Sequence, residues 1–130
     1  MIRMKLMVCV LICLMSASCA AVVFLGGAAA GVAGYKYYEG ALEVVYESPF
    51  METWDATLRA LDRMDIEVTS KKHDLTAGKI NAMGSDLKEI TLSFKYISTE
   101  ETEVSIRVGI FGDERASDAI KEEIRKELFE

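Results

Sequence analysis

Lys88-Glu89-Ile90-Thr91-Leu92-Ser93-Phe94-Lys95-Tyr96-Ile97 alternates apolar and polar side chains along most of its length. Ile90, Leu92, Phe94 and Tyr96 fall on one side and Glu89, Thr91, Ser93 and Lys95 on the other, the period-two pattern of a strand with one buried face. Ser98 to Glu101 reads as a polar hairpin loop. Val104, Ile106, Val108 and Ile110 then alternate with Glu103, Ser105, Arg107 and Gly109. Two neighbouring strands with the same pattern imply an antiparallel sheet with one polar face, so helices are expected to cover only the other.

Upstream, Leu42, Val44 and Tyr46 alternate with Glu43, Val45 and Glu47, a further half-buried strand. Ser48 is suited to cap a helix and Pro49 to its first position. Phe50, Trp54, Leu58, Leu61 and Met64 then recur at helical spacing, which predicts an amphipathic helix over 49–64 with Trp54 as a core anchor. Strands are expected at 66–71 and 76–83, joined by a turn at Lys72-His73-Asp74, and Gly84-Ser85-Asp86 is a second turn. Asp113 is placed to cap a last helix over 114–129, whose apolar side carries Ala116, Ala119, Ile120, Ile124 and Leu128. The predicted fold is α+β with the order β-α-β4-α, a two-layer sandwich of an antiparallel sheet with two helices on one face.

The first 34 residues differ from the rest: they hold only two charges, Arg3 and Lys5. These form a positive n-region, Leu6 to Met15 an apolar h-region, and Ser16-Ala17-Ser18 leads small residues up to Cys19, which together read as a lipoprotein signal peptide. The expected organisation is a signal peptide at 1–18, a lipidated Cys19 with an Ala/Gly-rich apolar tether at 19–40, and the α+β domain at 41–130. Two alternatives use the same residues: ordinary signal-peptidase cleavage, or a single uncleaved span over Leu6 to Gly34. All three put the domain outside the cytoplasm, because Arg3 and Lys5 hold the N-terminus inside.

The chemistry available to the domain is narrow. Fifteen basic and twenty-one acidic residues give a net charge of −6, and without Arg3 and Lys5 the remainder stands at −8. Such a chain repels phosphate backbones, which argues against nucleic acid as a partner. The three cysteines, Cys9, Cys13 and Cys19, all precede the domain, and His73 is its one histidine. No catalytic constellation, cofactor motif or metal-ligand spacing emerges, and His73 among Lys71, Lys72 and Asp74 reads as a solvated turn residue. The expected role is therefore binding or structural, with the membrane as one partner through Cys19 and an envelope protein as another. A rival reading is a carrier for a small apolar ligand, with a pocket lined by Trp54, Phe94 and Ile120.

Three stretches carry a family resemblance: Val45 to Pro49 running on to Trp54-Asp55-Ala56-Thr57-Leu58-Arg59-Ala60-Leu61, Gly78-Lys79-Ile80, and Ser105 to Asp113. Together with Cys19 and the Ala/Gly run after it, they resemble domain of unknown function 3568, a family of small bacterial lipoproteins. The resemblance implies a Gram-negative envelope lipoprotein facing the periplasm. Ala20 after the cysteine, where Asp would favour the inner membrane, implies the outer one. It brings no catalytic residues.

Overall fold

A computed structural model describes residues 2–7 and 31–130; residues 2–7 are helical and exposed. The folded part runs β1 (Val32–Tyr38), β2 (Ala41–Tyr46), α1 (Phe50–Arg63), β3 (Glu67–His73), β4 (Ala77–Met83), β5 (Glu89–Ser98), β6 (Glu101–Val108) and α2 (Glu114–Phe129). All strands join one antiparallel sheet in the order β1-β2-β6-β5-β4-β3. The fold class is α+β, as the alternation predicts.

The sheet has one strand more than expected, and the domain starts about nine residues before the expected boundary at 41. Val32–Tyr38 pairs with β2 through a two-residue turn, Glu39-Gly40, with both residues at positive φ (49° and 83°). Two left-handed residues in a row match the right-handed twist of a hairpin. Only Val32 of β1 is buried and the remainder is mostly exposed, so its composition resembles a tether more than a strand. The expected tether over 19–40 thereby loses its last part to the sheet.

The buried face of the sheet is supplied by every second residue: Leu42, Val44 and Tyr46 on β2, Ile80 and Ala82 on β4, Ile90, Leu92 and Phe94 on β5, and Val104, Ile106 and Val108 on β6. Helix α1 meets it through Trp54, whose ring lies against Phe94 and Gly78. Helix α2 is fastened by the Tyr46 hydroxyl, which donates to the Lys121 carbonyl at 2.9 Å, and by Ser117 beside the Ile106 carbonyl. Burial pushes the Tyr46 hydroxyl's pKa far up, so it remains a neutral donor. The two helices also meet at their polar rims, where Arg59 and Arg63 both reach Glu127.

The helix termini agree with expectation at one end and differ at the other. Asp113 caps α2, accepting from the Ala116 amide at 3.1 Å. Pro49, not Ser48, occupies the cap position of α1, and no side chain caps it. The buried Ser48 hydroxyl has no hydrogen-bond partner among the described residues, while the Ser48 carbonyl accepts from Thr53 and Thr102. Thr102 thus ties the α1 entry to β6 across 54 residues of sequence.

A Cβ on Gly78 would lie 2.7 Å from Trp54 Cζ3 and 2.9 Å from His73 Cβ, closer than real side chains approach. Gly78→Ala is therefore expected to lower stability by about 1–3 kcal/mol, measured by urea unfolding followed through the fluorescence of the single tryptophan. An unchanged or raised midpoint would refute the close seating of the indole on this strand.

Candidate functional site

Trp54 and Phe94, two of the three residues expected to line a ligand pocket, are in edge-to-face contact at 4.9 Å and are 4% and 3% exposed. Phe50 stacks on Trp54 at 6.5 Å and meets Phe94 at 6.2 Å. Ile120, the third, is buried in the same hydrophobic cluster but is contributed by α2. The hollows described on the surface are lined by other residues. These side chains therefore spend their surface on one another. Cys19, the expected lipidation site, lies outside the described residues.

His73 ends β3 and does not sit in the turn. Its ring lies 4.7 Å from Trp54 and 6.2 Å from Phe50, closing the open side of the aromatic cluster while the residue remains exposed. Register explains the difference: His73 pairs with Gly78, which pairs with Phe94, so all three share the inner row beneath Trp54. The turn itself is made by Asp74, whose carboxylate accepts from the amides of Thr76 (2.8 Å) and Ala77 (2.9 Å). Those bonds hold its pKa below the usual carboxylate value. Among the described residues, no three His, Cys, Asp or Glu side chains are grouped to hold a metal ion.

The other side of the sheet carries the polar residues of the alternating strands. Following the register, one row crosses it as Lys36, Glu43, Ser105, Ser93, Lys79 and Lys72. The next row reads Gly34, Val45, Glu103, Lys95 and Ala77. In these two rows the β2–β6 side is acidic and the β5–β4–β3 side basic, with serines between; the rows beyond add Arg107 on β6, Glu89 on β5 and Glu67 on β3. Lys36 pairs with Glu43 at 3.4 Å, whereas Lys79 and Lys95 have no carboxylate within salt-bridge reach among the described residues. A shallow hollow of about 200 Å³ opens where Gly34 leaves space beside Val45 and Glu103. Both edge strands carry bulges, between Val32 and Gly34 and between Val68 and Ser70, and β3 adds Lys71 and Lys72. These features block strand addition at the edges, which leaves the face itself as the candidate contact surface.

The sequence pattern shows that face to be polar, but not its rows, because which charges stand side by side depends on register. A second feature also escaped it. The Phe111-Gly112-Asp113 turn abuts the Glu39-Gly40 turn so closely that a Cβ on Gly112 would collide with the Gly40 carbonyl oxygen. Arg107 clips the two together by donating to the carbonyls of Ile110 and Glu39. Reading the motif locally accounts for its turn and cap, and not for this packing.

These features define a small acidic α+β domain with a buried aromatic anchor and a charge-divided sheet face. The chain belongs to the family described as Protein of unknown function (DUF3568), whose model matches residues 3–127. No curated protein matches it.

Asp74 and Asp113 both have lowered pKa values, the first through backbone amides and the second through the Ala116 amide and then Lys88. A depressed folded-state carboxylate contributes stability that is present above the unfolded value, here 3.8, and is lost as pH falls through the folded one. Asn at both positions keeps the acceptor and removes the charge. The double variant is expected to melt below the native protein at pH 7 and to match it near pH 2. Parallel melting curves across that range would show that neither carboxylate contributes.

Proposed function

We propose that the chain is an envelope lipoprotein of Gram-negative bacteria, lipidated at Cys19 and held in the outer membrane with its domain facing the periplasm. The domain is a two-layer sandwich in which both helices cover one face of the sheet and the other face serves as a binding or structural contact surface. The observation that carries the anchor is sequential: a basic n-region, an apolar run and Ser16-Ala17-Ser18 immediately before Cys19. Support for the working surface comes from the guarded edges and the charge-divided outer face.

The start of β1 bears on geometry. With Val32 already in the sheet, the chain between Cys19 and the domain is twelve residues, Ala20 to Gly31. Fully extended, that length reaches about 40 Å, so the domain works close to its membrane. Acyl chains contribute about 0.8 kcal/mol per buried CH₂, and two or more hold a protein stably. At the same end of the sheet as Val32 lies a hollow rimmed by Glu47, Glu100 and Glu101, a charge that keeps an anionic lipid surface at a distance.

The rival anchor, an uncleaved span over 6–34, would take Val32–Gly34 away from β1, where Val32 pairs with Tyr46 and Gly34 with Val45. The carrier reading is the weaker one because Trp54 and Phe94 fill their own surroundings.

Cys19→Ala is expected to abolish labelling of the protein by a clickable fatty acid in growing cells and to shift it from the membrane fraction to the soluble or precursor fraction. Undiminished labelling of the variant would exclude Cys19 as the acylated residue.

A further inference from the structure

The outer face of the sheet is complementary to itself. We propose that two copies of this chain associate face to face about a two-fold axis that runs parallel to the strands, between β6 and β5. This rests on the reading of the outer face as the working surface, but not on the anchor at Cys19.

Two kinds of two-fold axis lying in the plane between the copies stack this face on itself. An axis across the strands places each strand on its own copy; through the Ser105–Ser93 row it sets Glu43 against Glu43 and Lys79 against Lys79, and brings only Glu103 to an opposite charge, Arg107. An axis along the strands exchanges β2 with β4 and β6 with β5. Row positions are preserved, so Glu43 faces Lys79 of the second copy and Glu103 faces its Lys95. Ser105 then meets Ser93, and Val45 meets Ala77, small side chains that let two sheets approach to the usual distance of about 10 Å. Each contact occurs twice, as an isologous interface requires. Lys36 and Lys72 form the one like-charge row pair. Lys36 is neutralised by Glu43, and both sit on the outermost strands, where sheet twist separates packed sheets.

A second observation, independent of charge, favours the same axis. The hollow at Gly34 and Val45 lies at one corner of the face, and the β3–β4 turn, with Leu75 90% exposed, lies at the same end of the strands on the opposite edge. The axis along the strands brings each Leu75 to the hollow of the other copy. It also leaves both Val32 ends on the same side of the dimer, so two chains tethered to one membrane can associate without inverting.

Six strands at about 4.8 Å and about 23 Å of strand length give a face near 550 Å² per copy, and about 1,100 Å² for the pair. That lies at the small end of specific interfaces, which defines a reversible dimer sensitive to salt and favoured by co-anchoring.

The test uses the full chain in mild detergent, with one copy affinity-tagged and the other not. Wild-type copies are expected to co-purify at about 50 mM salt and to separate at about 0.5 M. Glu43→Lys with Glu103→Lys, and Lys79→Glu with Lys95→Glu, should each weaken self-association at least about tenfold. Mixed with each other, the two variants should recover it. Each double reversal moves the formal charge by four from −6, so both variants stay acidic, and general attraction between them does not explain recovery. Leu75→Ser, in an exposed turn that leaves the fold intact, should weaken the wild-type dimer about threefold or more. The proposal is overturned if the wild type is monomeric at about 100 µM in low salt, if the reversed variants self-associate as the wild type does, or if mixing fails to restore association. A face that instead retains some other protein gives the first of these outcomes. Fatty-acid labelling at Cys19 is read separately, so loss of the anchor and loss of the dimer are distinguishable.

Discussion

The seat of Trp54 on the bare backbone of Gly78 governs how the helical layer meets the sheet. Gly78 stands between His73 and Phe94 in one cross-strand row, so the row has a gap of one side chain at its centre. The indole fills it, and Phe94, Phe50 and His73 surround the ring. Aromatic contacts of this kind add to the simple burial of area. With α1 fixed at that point, Thr102 and Thr53 secure its entry through the Ser48 carbonyl, and α2 is aligned in turn through Glu127.

Much of this was legible from local pattern. β5 and β6 follow from strict alternation, α1 from its apolar stripe, and α2 from Asp113 followed by a periodic run. What escaped was fixed by pairing. β1 is an edge strand with tyrosines on a largely exposed surface, and its turn is Glu39-Gly40 where Asn-Gly would have announced a hairpin. Helix and strand signals gave no means of placing His73, because its neighbour across the strand is a glycine whose significance lies in the indole above it. Trp54 and Phe94 read along the chain as large apolar groups at one site; whether such groups enclose a space or close it is decided by volume, and here Gly78 allows closure. The outer face illustrates the same limit. Glu43, Glu103, Lys79 and Lys95 are each ordinary surface charges along the chain and become a pattern only once the strands are laid side by side.

The two faces of the sheet therefore have different duties. The inner one is filled by Tyr46, Leu92, Ile106 and their neighbours and accounts for the stability of a small domain. On the outer one, polar groups are left available, while bulges and lysines at both edges direct any association away from strand pairing. An acidic domain gains from this division, since its contacts are then confined to one plane.

The position of β1 has a mechanical consequence. Chain preceding the domain enters at Val32, at one end of an edge strand, and Gly31 is secured there by the Glu47 amide and by the Phe129 ring. A pull on that chain applied along β1 would load the β1–β2 ladder in shear, with its bonds strained together and not opened one at a time. The far end of the ladder is braced by the Glu39-Gly40 turn against Gly112 and by the Arg107 clip. A largely exposed edge strand thus takes up tension applied along its own direction.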